Sequence, residues 1–226
     1  FFFGTMSFWH GLGLCFLLVI HSAVGDVCDD HLHVVHDITY VDTGGSGMPV
    51  LLLHGARFTH KTWCEVGTVK TLVDSGRRVI AVDLPGFGET RGRRGLPEEQ
   101  KIKWMMQFME HLKVSKAVIV APSMSGTFAL PLLFHEPQLF IGYVGVAAVI
   151  GEVSPEVLRQ VKVPTLLVHG QRDHMGQRSS SVYSGIPGSQ VREIPDGEHA
   201  CYLTNPALWH DMLTTFLKKL ERATAA

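Results

Sequence analysis

The chain contains 226 residues, of which 46% are hydrophobic and 18% are charged. That length fits one domain with a sizeable core, and the apolar content excludes a disordered chain or a small disulfide-stapled protein. The sequence has 20 basic and 21 acidic residues, for a net charge of −1, whereas a nucleic-acid-binding protein normally carries a clear basic excess. We therefore expect no nucleic-acid partner.

The first 25 residues contain no Asp, Glu, Lys or Arg. An apolar run covers 12–20, and Ala23 and Gly25 are small residues at positions −3 and −1 of a potential cleavage site before Asp26. The run is shorter than the ~20 residues that span a bilayer, but the whole uncharged stretch is long enough. The sequence predicts a signal peptide or signal anchor over 1–25, with membrane contact through it and a place in the secretory pathway or at a membrane. The alternative is a mis-assigned N-terminus on a cytoplasmic protein.

Cysteine usage gives no sign of a disulfide framework. Cys15 lies in the leader, and the remaining cysteines are Cys28, Cys64 and Cys201, an odd number without metal-site spacing.

From residue 26 onward, short apolar runs alternate with segments of helical character. The runs predict strands at 33–41, 49–54, 78–84, 117–121, 142–149, 164–169 and 190–194. The segments between them predict helices at 62–74, 97–112, 124–135, 155–161, 177–184 and 206–220. Buried parallel strands are apolar on both faces, so this alternation predicts a single α/β domain over 26–226, with a mostly parallel sheet and helices on both faces.

Three polar residues follow three of these strands, at the edge where sites form in open α/β sheets. Ser123 lies in the sequence PSMSG, whose small residues suit a nucleophile on a tight strand-to-helix turn, although Ala121 replaces the usual first glycine. Asp173 and His199 follow the last two predicted strands. Each residue alone could have a purely structural role, but the order Ser, Asp, His is that of an α/β-hydrolase triad. We expect Ser123 to be the nucleophile, His199 the base and Asp173 the acid that orients it.

Two backbone N–H groups are the expected donors of an oxyanion hole. Met124 follows the nucleophile, and Ala56 lies in the loop after the strand predicted at 49–54. This chemistry requires no metal and no organic cofactor.

Four arginines follow predicted strands on the same side, namely Arg57, Arg91, Arg93 and Arg94. One hypothesis is that they hold the phosphates of an acyl acceptor such as coenzyme A. The alternative is a set of solvated loop residues.

Rival constellations have simpler structural roles. Asp29, Asp30, His31, His33 and His36 resemble a metallohydrolase motif, but Val35 replaces the expected acid and His36 points away from the other histidines on a strand. We expect a polar start to the first strand. Glu152 is an alternative triad acid, and Cys201 is expected to fill the core rather than act as a nucleophile.

Five segments of residues 38–220 resemble the α/β-hydrolase domain-containing protein 14 family: LLLHGARFTHKTW, RVIAVDLPGFGET, VIVAPSMSGTFALPLLF, TLLVHGQRDHMGQ and IPDGEHACYL. The resemblance implies an α/β-hydrolase fold with Ser123, Asp173 and His199 as the triad. One branch of the family is described as a lysine deacylase that passes an acetyl group to coenzyme A, and the other carries an N-terminal membrane anchor. The leader is similar to the second branch, whereas RDHMGQ is similar to the first.

We therefore expect a serine hydrolase that forms an acyl-enzyme on Ser123 and cleaves esters, thioesters or acylated amines. The alternatives are a protein-lysine deacylase that transfers the acyl group to coenzyme A, and a non-catalytic binding protein on a hydrolase scaffold. Val149 and Pro164 lie 15 positions apart, where many hydrolases insert a lid. We expect no lid domain and an open site that admits an acylated small molecule or an acyl-lysine protein.

Overall fold

The structure, a computed structural model, describes residues 27–149, 151 and 153–224. The leader predicted over 1–25 and the alternative acid Glu152 lie outside the described residues. The strands are β1 (Leu32–Val35), β2 (Ile38–Asp42), β3 (Pro49–Leu52), β4 (Arg78–Val82), β5 (Ala117–Pro122), β6 (Phe140–Val146), β7 (Thr165–Gly170) and β8 (Gln190–Ile194). The helices are α1 (His60–Glu65), α2 (Thr68–Asp74), α3 (Glu98–His111), α4 (Gly126–His135), α5 (Pro155–Gln160), α6 (His174–Tyr183), α7 (Cys201–Thr204) and α8 (Pro206–Thr224).

The strands form one sheet in the order β1-β2-β4-β3-β5-β6-β7-β8. The six strands β3 to β8 run parallel, and β1 and β2 add an antiparallel edge. This is the predicted α/β-hydrolase fold. Between β6 and β7 the described residues contain only the six-residue helix α5, and no lid is evident.

Two apolar layers cover the two faces of the sheet. Alternation along β5 sends Ile119 and Ala121 into the layer that contains α3 and α4, and Val118 and Val120 into the layer that contains α8. The central strands are therefore buried on both faces, which explains their continuous apolar sequences. Among the described residues, no helix combines the length and apolar character needed to cross a bilayer.

The predicted strand 33–41 is wrong in one respect, because it is a hairpin of β1 and β2. Val35 pairs with Ile38, and His36 and Asp37 between them have φ values of +49° and +63°. Two successive residues with positive φ match the turn whose twist suits a two-residue hairpin. Glycine is the usual signal for this turn, and the sequence has none there.

The predicted helix 62–74 is two helices, because Gly67 at the junction has a φ of +79°. The last helix is close to its predicted limits: Asn205 Oδ1 accepts a hydrogen bond from Leu208 N at 3.0 Å and caps it. Its buried face includes Trp209, Leu213 and Phe216, which pack under the sheet.

A disulfide bond joins Cys28 to Cys64, so the expectation of no disulfide is wrong. Cys28 lies in the turn before β1 and Cys64 lies in α1, with their Cα atoms 6.2 Å apart. Cys201 is a buried free thiol in the core. The odd cysteine count was misleading because the third cysteine packs as an apolar residue.

We expect the disulfide to stabilise the fold by about 2–4 kcal/mol, because it closes a loop over 36 positions and restricts the unfolded chain. Urea unfolding followed by circular dichroism measures this. The double variant Cys28→Ser/Cys64→Ser should unfold at lower urea than the oxidised wild type.

Reductant provides the matched control. It should lower the urea midpoint of the wild type to that of the double variant and leave the double variant unchanged. A wild-type midpoint that does not respond to reductant would contradict the stabilising role.

Candidate active site

Ser123 lies at the turn between β5 and α4. Its φ is +49°, in the left-handed region that non-glycine residues rarely occupy. The strand ends at Pro122, a single 3₁₀ turn covers Ser123–Ser125, and α4 begins at Gly126. Val149 N donates to Ser123 O at 2.9 Å and holds the turn against the loop that follows β6. A strained strand-to-helix turn of this kind presents a side chain at the edge of the sheet.

Small residues around Ser123 make this turn possible. A Cβ atom on Gly126 would lie 2.9 Å from Ala148 Cβ and 3.1 Å from Val149 N, so any larger residue there would push α4 away from the β6 loop. Ala121, which replaces the usual glycine, is fully buried. Ser125 is buried and donates to Pro122 O at 2.8 Å, so its hydroxyl belongs to the turn itself.

The structure brings Ser123, His199 and Asp173 together. His199 Nε2 lies 2.8 Å from Ser123 Oγ, and His199 Nδ1 lies 2.7 Å from Asp173 Oδ2. A carboxylate only accepts hydrogen bonds, so Nδ1 carries the proton and donates to Asp173. Nε2 is then free to accept from the serine hydroxyl. The Asp173 side chain is 5% exposed, whereas that of His199 is 41% exposed and faces the site.

The loops that carry Asp173 and His199 are braced against each other. Arg172 N donates to Gly197 O at 2.8 Å, and Arg172 also forms an ion pair with Asp196. Gly170 and Gly197 pack backbone to backbone, and a Cβ on Gly170 would collide with the carbonyl oxygen of Gly197. These contacts set the spacing between the acid and the imidazole.

The expected oxyanion donors lie in the loops that flank Ser123. A Cβ on Gly55 would be 3.7 Å from Ser123 Cβ, so the loop containing Ala56 lies directly against the serine. Within the part of the chain that the structure describes, the Ala56 N–H has no protein acceptor. Met124 is the second residue of the 3₁₀ turn, where a backbone N–H has no partner inside the helix.

A cavity of about 480 Å³ opens beside the serine and the imidazole. It is lined by Ser123, Ala147, Ala148, Val149, Gly151, Met175, Arg178 and His199. Sequence reasoning missed Met175 and Arg178, which lie on α6 just after Asp173. Their signal is helical spacing, because residues three apart share one face of a helix.

The four arginines proposed for acceptor binding do not line this cavity. Arg91 lies 3.7 Å from Asp37 in the β1–β2 turn. Arg94 donates to Gly86 O at 2.7 Å and lies over the Phe87 ring at 4.4 Å. Arg57 and Arg93 are exposed loop residues.

Comparison with known proteins places the chain in a family. The family model described as "alpha/beta hydrolase fold" matches residues 48–156. The chain is 35% identical to the Rattus norvegicus "Putative protein-lysine deacylase ABHD14B", over 76% of this chain and 83% of that protein. The chain belongs to the α/β-hydrolase domain-containing protein 14 family.

A second relative supports this placement, and a solved structure shows the same fold. "Protein ABHD14A" of Danio rerio is 34% identical over 77% of this chain, and the match covers 66% of the fish protein. The "predicted CIB-like hydrolase" of Thermoplasma acidophilum superposes with a TM-score of 0.75 at 23% identity, over 80% of this chain and 92% of that one, which shows the shared fold. The family resemblance read from the sequence is thus confirmed.

Other polar groups near the site of this family member have structural partners. His54 Nδ1 donates to Gly55 O at 2.8 Å while its Nε2 accepts from Leu84 N at 2.9 Å, which joins the loops after β3 and β4. Burial lowers the pKa of His54 and keeps it in the neutral form that this bridge requires. Burial also raises the pKa of the Cys201 thiol to about 12, which leaves it without nucleophilic character at neutral pH.

The histidines of the first hairpin contact different aromatic rings. His33 stacks on Tyr40 with ring centroids 5.2 Å apart, and His36 lies edge-on to His111 at 5.8 Å. Among the described residues, no group of three or more metal-ligating side chains is arranged to hold an ion.

Asp83 is fully buried at the end of β4 and anchors two loops. Its Oδ1 accepts from His60 N at 2.7 Å and from His60 Nδ1 at 2.9 Å, and its Oδ2 accepts from Glu89 N at 2.9 Å. Burial by itself would raise the pKa of Asp83, but the hydrogen bonds from His60 and Glu89 outweigh it and hold the pKa below its usual range. Asp83 therefore has a structural role.

We expect Asp83→Asn to destabilise the fold by about 1–3 kcal/mol at neutral pH, because an amide NH₂ would replace one oxygen and face an N–H donor. A lowered pKa in the folded state gives stability that is complete above the usual aspartate pKa of about 3.9 and is lost as the pH falls through the folded value. Urea unfolding measured between pH 7 and pH 3 should therefore show a smaller acid-dependent loss for the variant.

Asp74→Asn is the matched control, because Asp74 is exposed and pairs only with Lys70 one turn away in α2. It should change stability by less than about 0.5 kcal/mol. Equal effects of the two substitutions would show that the buried hydrogen bonds of Asp83 are unimportant.

Proposed function

We propose that this protein is a serine hydrolase that forms an acyl-enzyme on Ser123. The observation that carries the proposal is the continuous hydrogen-bonded line from Ser123 Oγ through His199 to Asp173. A serine hydroxyl is a weak nucleophile until a base takes its proton, and this line supplies the base and the acid that orients it.

The chemistry follows from the roles of these atoms. Ser123 Oγ attacks the carbonyl carbon while its proton passes to His199 Nε2, and Asp173 stabilises the resulting imidazolium. The tetrahedral intermediate collapses when His199 returns that proton to the departing alcohol, thiol or amine. Water then attacks the acyl-enzyme by the same route and releases the carboxylic acid.

The charge that develops on the carbonyl oxygen requires donors that are already in place. The backbone N–H groups of Ala56 and Met124 are our proposed oxyanion hole, because both flank Ser123 and neither has an acceptor among the residues that the structure describes. Removing one such donor typically costs 10²–10³ in rate.

Two features suit an acylated amine on a protein as substrate. The stretch between β6 and β7 contains only α5 among its described residues, so a bulky substrate can approach the cavity beside Ser123. Relatives at 33–35% identity bear the name "Putative protein-lysine deacylase ABHD14B". The second candidate function is therefore protein-lysine deacylation, for which the sequence-based hypothesis names coenzyme A as the acyl acceptor.

The disulfide bears on where this chemistry takes place. Bonds such as Cys28–Cys64 persist in oxidising compartments. This supports a site of action along the secretory route, in agreement with the leader predicted over 1–25, which remains a prediction.

Ser123→Ala should abolish both hydrolysis of 4-nitrophenyl acetate and labelling by a fluorophosphonate probe, because no other hydroxyl in the described cavity has an activating base. Asp173→Asn should keep the fold but lower kcat by roughly 10³–10⁴, since the amide cannot orient the imidazole in the reactive form. Steady-state kinetics and gel fluorescence measure these effects.

Ser181→Ala and Asp74→Asn are the matched controls, because both residues are exposed and lie outside the line of hydrogen bonds and the loops that carry it. Both should retain wild-type labelling and turnover. Undiminished labelling of Ser123→Ala would sink the proposal, and a folded wild type that never labels or turns over an ester would favour the non-catalytic binding protein.

The identity of the acyl acceptor separates the two candidate functions. An acetyl-lysine peptide is incubated with the protein and coenzyme A, and products are followed by mass spectrometry. Simple hydrolysis yields free acetate whether or not coenzyme A is present. Acetyl-coenzyme A that forms with wild type and is absent with Ser123→Ala would instead establish transfer.

A further inference from the structure

The cavity beside Ser123 has an uneven charge distribution. Apart from the reacting pair and Gly151, its walls consist of the apolar side chains of Ala147, Ala148, Val149 and Met175 together with one cation, Arg178. No acidic residue is among the described residues that line it. A bound acyl group would therefore meet apolar walls next to the nucleophile and a positive charge on one side.

The Arg178 guanidinium lies on the cavity wall without a partner in the part of the chain that the structure describes. Within the described residues, the side chain of Arg178 forms no hydrogen bond and no ion pair. Arg172, six positions earlier in the same region, pairs instead with Asp196. A guanidinium presents a planar fork of donors that matches a carboxylate, so an unpaired arginine on a cavity wall is suited to bind one.

Contacts of α6 fix where Arg178 lies. Gly176 packs so closely on the Asp173 carboxylate and on Ala147 that an added Cβ would lie 2.9 Å from Ala147 Cβ. One turn later, Ser179 Oγ donates to Ala148 O. The face of α6 that carries Met175 and Arg178 is thus held beside the cavity by the same contacts that position the triad acid.

The size of the cavity favours a small occupant. About 480 Å³ lies toward the low end of the ~300–1,000 Å³ typical of small-molecule pockets. A space of this order has room for a four- or five-carbon acyl chain beside the apolar wall.

We propose that Arg178 binds a carboxylate at the far end of the acyl group, so that this enzyme prefers acyl groups derived from dicarboxylic acids, such as succinyl and glutaryl. This inference rests on the proposed acyl-enzyme function and adds the class of acyl group. Arg178 is exposed, so with a neutral acyl chain the guanidinium stays hydrated and such chains are accepted too. The arginine creates a preference rather than an exclusion.

Matched esters test the proposal. Mono-4-nitrophenyl glutarate is compared with 4-nitrophenyl pentanoate, which has the same chain length without the charge. We expect Arg178→Gln to lower kcat/KM for the glutarate ester about tenfold, mainly through KM, and to leave the pentanoate ester within about twofold. Arg178→Lys should restore part of the preference, because it keeps the charge but loses the fork.

Two controls distinguish recognition of the acyl group from a general charge effect and from recognition of the leaving group. Arg192→Gln makes the same charge change on β8, outside the cavity, and should leave both esters unaffected. Acetyl esters whose leaving phenol does or does not carry a carboxylate test whether the arginine recognises the leaving group instead of the acyl group. If Arg178→Gln weakens only the ester with the charged phenol, the arginine binds the leaving group and the proposal is overturned.

Failure of this inference is distinguishable from failure of the proposed function. Wild type that hydrolyses the pentanoate ester, with a glutarate preference that Arg178→Gln leaves unchanged, overturns the role of Arg178 alone. If wild type hydrolyses neither ester, calorimetric binding of glutarate to the Ser123→Ala variant decides. Binding that Arg178→Gln removes supports carboxylate recognition without the acyl-enzyme, and no binding overturns both.

Discussion

The left-handed backbone of Ser123 is the constraint on which the rest of the site depends. A non-glycine residue adopts φ +49° only where its surroundings compensate the strain of roughly 1–3 kcal/mol. Here the compensation comes from the Val149 N–H that binds Ser123 O and from the close approach of Gly126 to Ala148. The residues after β6 therefore support the backbone of Ser123 and also form one wall of the cavity beside it.

The parallel register of the sheet then determines what can reach that serine. Pro122 on β5 pairs with Val146 on β6, and Val146 pairs with Val168 on β7, so neighbouring strands end at nearly the same height. Residues just beyond those ends meet without long loops. This is why two hydrogen bonds of 2.7–2.8 Å can join Ser123, His199 and Asp173 across 76 and 26 positions of sequence.

The sequence was most informative where a local pattern determines the structure. Buried parallel strands have a continuous apolar sequence, and residues after them meet at one edge, so the sheet and the grouping of Ser123, Asp173 and His199 could be predicted.

The disulfide could not be predicted, because the proximity of Cys28 to Cys64 depends on how the first turn packs on α1. The hairpin was missed because His36 and Asp37 adopt positive φ without glycine. The arginines after β4 became candidates for acceptor binding because they follow a strand, but Arg91 and Arg94 lie against Asp37 and Gly86 instead.

Arg178 shows how position on a helix can matter more than position after a strand. Asp173 directly precedes α6, so the start of this helix has a fixed position relative to Asp173 and to the histidine that Asp173 contacts. Gly176 and Ser179 hold α6 against the loop that follows β6. The contacts that fix Asp173 therefore also fix a residue one turn into the helix, beside the cavity. Asp83 and His54, by contrast, are buried and their hydrogen bonds join neighbouring loops, so neither side chain faces the cavity. The titratable groups near this edge of the sheet thus fall into two classes. The groups that are buried among the loops hold those loops together, whereas His199 and Arg178, which line the cavity, are available to a substrate.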